Sequence, residues 1–339
     1  MSDESERELT DPVRLLDDRG LQNPAAIGWT RRQLIDTDGV GQGARGWGRN
    51  KRWEYWAITS PTHIIALTIG ALDYANVRGV WVLDRARREE VDLFEISPLD
   101  LGVELPGTLG HGPARSRGRR ATLEFVDADA GTLLLARTPR VNVDIVATRP
   151  SRHEAMGTAA PFSPFHAEYT VKDVDRPAHG TIRVDGVEYD VPAGSSWAIL
   201  DHLRGRLPYR THGNWGAGAG MAGRRRIGLQ LGGCGPLAVR HGVSQNAFTV
   251  DGRLHKVAGA LEWQFDADDW SAPWHVRNDR MLLEFTPFHV RSSRTELLLV
   301  ASTANQAFGH WSGRLRADDG EWIEADGILG WAEDVRSRW

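Results

Sequence analysis

From Arg52 onward the chain is a succession of short alternating segments punctuated by turn residues. RWEYWAITSP closes at Ser60-Pro61, HIIALTIGALDYANV and RGVWVLDRA follow around a turn near Ala75-Asn76, and VDLFEISPL comes next. ATLEFVDADAGTLLLART alternates on both sides of an Asp-Ala-Gly turn, and VNVDIVATRP, HAEYTVKDVD and GTIRVDGVEYDVP continue the rhythm. RRIGLQLGG, QNAFTVDGRLHKVAGALEWQFD and RMLLEFTPFHVRS carry it towards the C-terminus. Successive side chains of a strand face opposite ways, so a period of two marks a half-buried strand. Many such strands at roughly 8–12-residue spacing, joined by Asp-Gly turns, mark a sandwich or barrel. No long amphipathic helix interrupts the pattern. The expected fold class is all-β, with few helices.

A chain of 339 residues exceeds what one compact core usually organises, so two β-barrels or sandwiches packed together are expected. SRHEAMGTAAPFSPF breaks the strand rhythm with two prolines and a glycine. The expected organisation is therefore a mobile polar arm over 1–20, an N-terminal domain over 21–150, a linker over 151–165 and a C-terminal domain over 166–339. The acidic, polar N-terminus is no signal peptide, and no stretch is apolar enough to span a membrane, so a cytoplasmic protein is expected. A formal charge of -4 gives no bulk attraction to nucleic acid. Cys234 stands alone, which excludes a disulfide framework, and neither a metal nor a cofactor is expected. Lys51, Lys172 and Lys256 are the only lysines in an arginine-rich chain. Fourteen tryptophans point either to large cores between sheets or to a cavity walled by flat rings.

Blocks along nearly the whole chain resemble a bacterial family known as domain of unknown function 2804. They include Asn23-Pro24 with Ile27-Gly28-Trp29, Trp47-Gly48-Arg49 with Lys51-Arg52-Trp53, and His153-Glu154. Ser60-Pro61, Leu72-Asp73-Tyr74, Pro208-Tyr209, Asn214-Trp215-Gly216, Gly232-Gly233, Asn246-Ala247, Asp251 to Lys256, Phe308-Gly309-His310 and Gly330-Trp331-Ala332-Glu333-Asp334 complete the set. The segment between Gly233 and Asn246 departs from that family's usual pattern. The closing strands, GHWSGRLR and GILGWAED, also resemble the double-lipocalin proteins, which include carotenoid hydratases, tocopherol cyclases and Diels–Alder-type cyclases. That resemblance implies two calycin/lipocalin-like barrels paired around an apolar small molecule.

The stretch 201–256 concentrates histidine, glycine and the lone cysteine, and it is the first place to seek a site. Its glycines mark positive-φ positions or close backbone approach, but no phosphate-binding loop is present. His255 is a candidate proton donor or ligand anchor sharing a strand face with Arg253, while Lys256 points the other way. Tyr209, Asn214, Trp215 and Asn246 are candidate pocket residues, against the alternative of packed turns. His153-Glu154 reads either as an acid/base pair or as an ion pair holding an arginine. Trp47, Arg49, Arg52 and Trp53 interleave cations with rings, for an anionic ligand group or for structural stacking. Asp201, Glu284 and His310 are further candidate acids and bases; Glu284 lies among apolar neighbours, and a dry environment would raise its pKa.

Three functions remain open at this level. One is a cofactor-independent enzyme that protonates a double bond in an isoprenoid- or polyketide-like molecule, leading to hydration, isomerisation or cyclisation. Another is a carrier of a lipophilic ligand. The third is a carbohydrate-active protein with two carboxylates. A cavity touching both the 47–56 and 214–256 stretches is expected, and its acids discriminate among the three.

Overall fold

A computed structural model of the chain describes residues 6–233, 239, 241–297 and 300–338. Cys234 lies outside the described residues, as does much of the segment where the sequence departs from its family pattern. Among the described residues the architecture is almost wholly β, as expected. No helix among them is long and apolar enough to cross a membrane.

Two large curled sheets dominate the described residues, beside a two-stranded sheet of Val13–Arg14 and Ile35–Asp36. In the first, the strands run Glu89–Pro98, Ala75–Asp84, His63–Ala71, Asn50–Thr59, Trp197–Arg206 and His166–Val184, then Val141–Thr148, Gly131–Arg137 and Thr122–Ala128. In the second they run Arg253–Val257, Asn246–Val250, Arg225–Gly232, Arg210–Ala222, Ile328–Arg338, Val300–Arg316, Met281–Leu297 and Trp274–Arg277. Each sheet curls over its own core. Trp56, Ile58, Ile65 and Leu67 meet Leu123, Phe125, Leu134 and Ile145 in the first. Leu229, Phe248, Trp274, Phe285 and Trp311 fill the second.

The turn chemistry is local. Asp251 and Gly252 both take positive φ (54° and 84°), which closes the two-residue hairpin between Asn246–Val250 and Arg253–Val257. The glycines at 216 and 218 have a different cause. A Cβ at Gly216 would stand 2.8 Å from the Trp311 ring, and one at Gly218 3.0 Å from it. Those glycines clear space for a core tryptophan rather than shape a loop.

Two boundaries differ from expectation. The expected linker contributes a strand, Met156–Ser163, paired with His166–Val184 inside the first sheet. The chain passes between the sheets only at 207–209, because Trp197–Arg206 still pairs with Asn50–Thr59 and Arg210–Ala222 already pairs with Ile328–Arg338. The supposed mobile arm is also packed from Glu6 on. Leu9, Leu15 and Leu16 bury themselves with Ile35 and Val40 on Tyr169 and Val171. The polar composition of the arm hid these three leucines, whose burial the opposing strand face requires.

The outer faces of the two sheets pack on each other. Ala57, Ala66, Trp81 and Ile199 of the first sheet meet Ala217, Ala219, Phe308 and Trp331 of the second. Trp81 stacks on Phe308 with centroids 4.8 Å apart, and Trp215 meets Trp331 edge-on at 5.2 Å. His289–Glu90 at 2.5 Å and Arg291–Asp92 at 2.7 Å tie the sheets at one edge.

Candidate functional site

Towards the other end of this sheet-to-sheet interface the packing opens into a cavity of about 600 Å³. Register explains its lining. In the first sheet Lys172, Asp201, Tyr55 and Thr68 stand side by side across four strands. In the second, Trp215, Glu333, Gln306 and Arg291 form the corresponding row. All eight line the cavity. Two residues further in, on the same faces, stand Ala57, Ile199, Ala217 and Trp331 of the closed interface. The polar rows therefore sit where the filled interface ends and open space begins. Outward from them the walls are Leu203, Trp53, Gly70, Val77 and Ile96 on one side, and Gly213, Val335 and Ala304 on the other.

The chemistry is concentrated at those rows and at Glu168, which stands four residues outward of Lys172 on the same strand face. Lys172 Nζ lies 2.8 Å from Asp201 Oδ1 and 4.2 Å from the centre of the Trp215 ring. The contact to Asp201 is a charge pair without the alignment of a hydrogen bond, and among the described residues Oδ1 accepts no hydrogen bond. Asp201 Oδ2 accepts one from Trp53 Nε1 at 3.2 Å. Glu168 Oε1 accepts from Gln245 Nε2 at 3.1 Å. Glu333 Oε2 accepts from Gln306 Nε2 at 2.9 Å.

Burial pushes Glu168 up to about 8, with the Lys172 charge opposing and the Asp201 charge adding to the rise. Burial pushes Glu333 up to about 8 as well, under the same two opposing charges. Both carboxyls therefore carry their protons at neutral pH, and their shared neighbours couple their titration. Burial also raises the Tyr55 phenol, which stays protonated. The site thus offers two neutral acids, a carboxylate and an ammonium inside largely apolar walls.

The structure brings only some of the sequence candidates here. Asp201, Trp53 and Trp215 line the cavity, so both expected stretches reach it. Glu284 does not: its side chain is 54% exposed and faces His275 across neighbouring strands. Its apolar neighbours point into the barrel, and alternation sends Glu284 outward. His255 is buried away from the cavity, stacked on Phe248 and 3.1 Å from Asp318, and burial lowers its pKa. Arg253 is exposed. Lys256 is 2.6 Å from Glu6 and 2.7 Å from Ser244 Oγ, clamping the N-terminal segment. Asn246 is structural: it accepts from the Gly232 amide and donates to the Gly259 carbonyl.

The remaining candidates also lie outside the lining. His153 Nε2 is 2.6 Å from Asp173; burial opposes its charge, but Asp173 prevails and raises its pKa. Glu154 holds Arg31 and caps the Leu254 amide, so the ion-pair alternative describes it. His310 lies near Phe288, and burial lowers its pKa. Asn214 donates to Asp334 at 3.3 Å. Arg52 pairs with Asp100 at 2.6 Å, and Arg49 lies over the Tyr209 ring. Trp47 is 60% exposed.

The sequence did not single out Glu168, Lys172 or Gln245 as site residues, and it marked Glu333 only as part of a family block. Glu333 faces the cavity beside Gln306. A signal for two of them existed. Glu168, Thr170 and Lys172 alternate with Ala167, Tyr169 and Val171, and a strand with one polar face normally turns it to water. Here the apolar face is covered by the N-terminal segment and the polar face by the second sheet. Among the described residues no three His, Cys, Asp or Glu side chains converge as a metal site.

Comparison with solved structures places the fold. CghA crystallised with Sch210972 matches with a TM-score of 0.58 at 10% identity, over 85% of this chain and 88% of that one. CghA alone matches with a TM-score of 0.57 at 11% identity, over the same shares. Kievitone hydratase from Nectria haematococca matches with a TM-score of 0.48 at 10% identity, over 89% and 92% of the two chains. The chain shares the double-lipocalin-like architecture, as its closing strands suggest. Comparison with curated proteins finds no match. The family model described as Domain of unknown function (DUF2804) matches residues 6–339, and the chain belongs to that family.

Proposed function

We propose that the cavity carries out a proton-dependent conversion of an apolar small molecule: hydration, isomerisation or cyclisation of a double bond, without an organic cofactor. The observation that carries this reading is that two carboxyls are buried in an apolar cavity, Glu333 at its inner end and Glu168 four residues outward of Lys172, and that burial raises both to about 8. A carrier has no use for them, since each costs desolvation and adds nothing to an apolar fit. A carbohydrate site would set its carboxylates along a polar groove, and the walls here are apolar. The common fold with CghA, crystallised with Sch210972, supports a small-molecule site in this architecture.

In this reading Glu333 donates the proton, since it stands on the row opposite Asp201 and is held by one donor from Gln306. The Asp201 carboxylate, whose Oδ1 accepts no hydrogen bond among the described residues, stabilises the carbocation that forms. The rings of Trp53 and Tyr55 add their π faces. Water or an internal double bond then captures the cation, and the proton lost at the end returns to the carboxylate left by the acid. Glu168 and Lys172 set the charge of the site.

The test uses the whole protein in D2O with an apolar extract of its own host, followed by mass spectrometry. Wild type should convert one component into a product carrying a carbon-bound deuteron. Glu333→Gln should slow that conversion about 100-fold, the usual worth of a general acid. Recovery of every bound component unchanged, or equal rates for wild type and the Glu168→Gln/Glu333→Gln double variant, would refute the proposal.

A further inference from the structure

A second opening, of about 450 Å³, lies at the same end of the first sheet as the mouth of the cavity. Arg19, Arg45, Arg49 and Arg206 line it with His166, and the 65% exposed ring of Phe165 forms part of its wall. Among the described residues no carboxylate lines it. Arg206 spends its directed hydrogen bonds on neutral acceptors: Nε on Asn50 Oδ1 at 3.1 Å and Nη1 on the Gly20 carbonyl at 2.6 Å. Arg45 makes no ion pair among the described residues. Two acids stand beside the cluster, and one of them neutralises a lining arginine. Asp17 holds Arg19 at 3.1 Å, and Asp73 accepts from the Gly48 and Asn50 amides.

The cations act on one another. Burial lowers the pKa of Arg206, and the Arg45 charge lowers it further against Asp73. Burial lowers that of His166, and Arg49 and Arg206 lower it further. Like charges gathered this way destabilise the free protein and are relieved by a bound anion.

This opening adjoins the cavity. Leu207, next in the chain to Arg206, lines the cavity, and so does Tyr74, which feels the Arg49 charge. Phe162 of the cavity and Phe165 and His166 of the opening flank one hairpin turn.

We infer that the arginine-lined opening holds the anionic end, a phosphate or carboxylate, of the same ligand whose apolar part fills the cavity. The ligand class is then an anionic amphiphile rather than a neutral hydrocarbon. The inference rests on the proposed ligand-binding role of the cavity and extends it.

Calorimetric titration of the full chain with dodecanol, dodecyl phosphate, dodecanoate and inorganic pyrophosphate, below micelle-forming concentrations, separates the two claims. At least one anionic amphiphile should bind about tenfold or more tighter than dodecanol, a factor corresponding to one good charged contact. Arg45→Glu and His166→Ala should each reduce that preference and leave dodecanol binding unchanged. No preference for an anion, or a preference intact in both variants, would overturn the inference. Failure of all three twelve-carbon compounds to bind would count against the cavity instead, and pyrophosphate binding lost in Arg45→Glu would still uphold the anion site. Flotation with phosphatidylglycerol vesicles distinguishes the source. Retention assigns the anion to a lipid headgroup, and release with tight dodecyl phosphate binding assigns it to a free molecule.

Discussion

Glu168 and Glu333 contribute a pH-dependent term to the stability of this protein. Their folded pKa values lie near 8, against an ordinary value of 4.5. Between those limits the folded protein holds protons that the unfolded chain has released, so stability falls as pH rises. The contribution is complete below about 4.5 and lost above about 8, with a slope of at most about 1.4 kcal/mol per pH unit for each proton. Glu333→Gln should flatten the stability curve between pH 5 and 8, measured as the unfolding midpoint in urea. A parallel curve for wild type and variant would show that Glu333 ionises normally. Lys172→Met tests the other half of the site. It leaves Asp201 buried without its counter-charge and should cost about 3–5 kcal/mol, whereas Lys172→Met with Asp201→Leu should cost less. Urea titration of both gives the answer. At this scale the sequence was partly legible. Asp201, Trp53 and Trp215 were readable from their residue types and blocks, but Glu168 and Lys172 resembled an ordinary outward face.

At the scale of elements, the His166–Val184 strand organises the site because both of its faces are covered. Its first half carries Glu168, Thr170 and Lys172 into the cavity while Tyr169 and Val171 lie under the N-terminal segment. A bulge between Asp173 and Arg176, with Asp175 at φ 55°, then re-aims the chain into the first barrel. The N-terminal segment is therefore part of the site's support. Leu15 is fully buried in it, and Leu15→Ala should cost about 2–5 kcal/mol. Glu6 ties the segment down: it meets Lys256 at 2.6 Å and accepts from the Ser244 and Gly259 amides. Glu6→Ala should expose the segment to limited proteolysis under conditions where wild type resists cleavage; equal cleavage rates would remove the clamp from the account. The strands themselves were legible from alternation, and the Asp251-Gly252 hairpin from its turn residues. The linker at 151–165 was misread because Pro and Gly there interrupt the pattern, while the pairing of Met156–Ser163 depends on a partner strand outside it.

For the whole molecule, the interface between sheets is both core and site. Trp81, Trp215, Phe308 and Trp331 would face water if the sheets were parted. Chains cut at 207–209 should therefore aggregate when the pieces are expressed singly and co-purify when expressed together. Two separately soluble monomeric pieces would show that each sheet stands alone. The sequence by itself determined the class: alternation and turn chemistry are local properties, so an all-β chain could be read directly, while its length called for two barrels or sandwiches. It also determined that tryptophan would serve either core or cavity, and it could not divide the fourteen between those uses. Only the tertiary structure decided which polar faces meet another sheet instead of water. That pairing joins Lys172 and Asp201 to Glu333 across residues far apart in the chain. Burial then turns two ordinary glutamates into neutral acids, because desolvation depends on what covers a side chain and not on its neighbours in sequence.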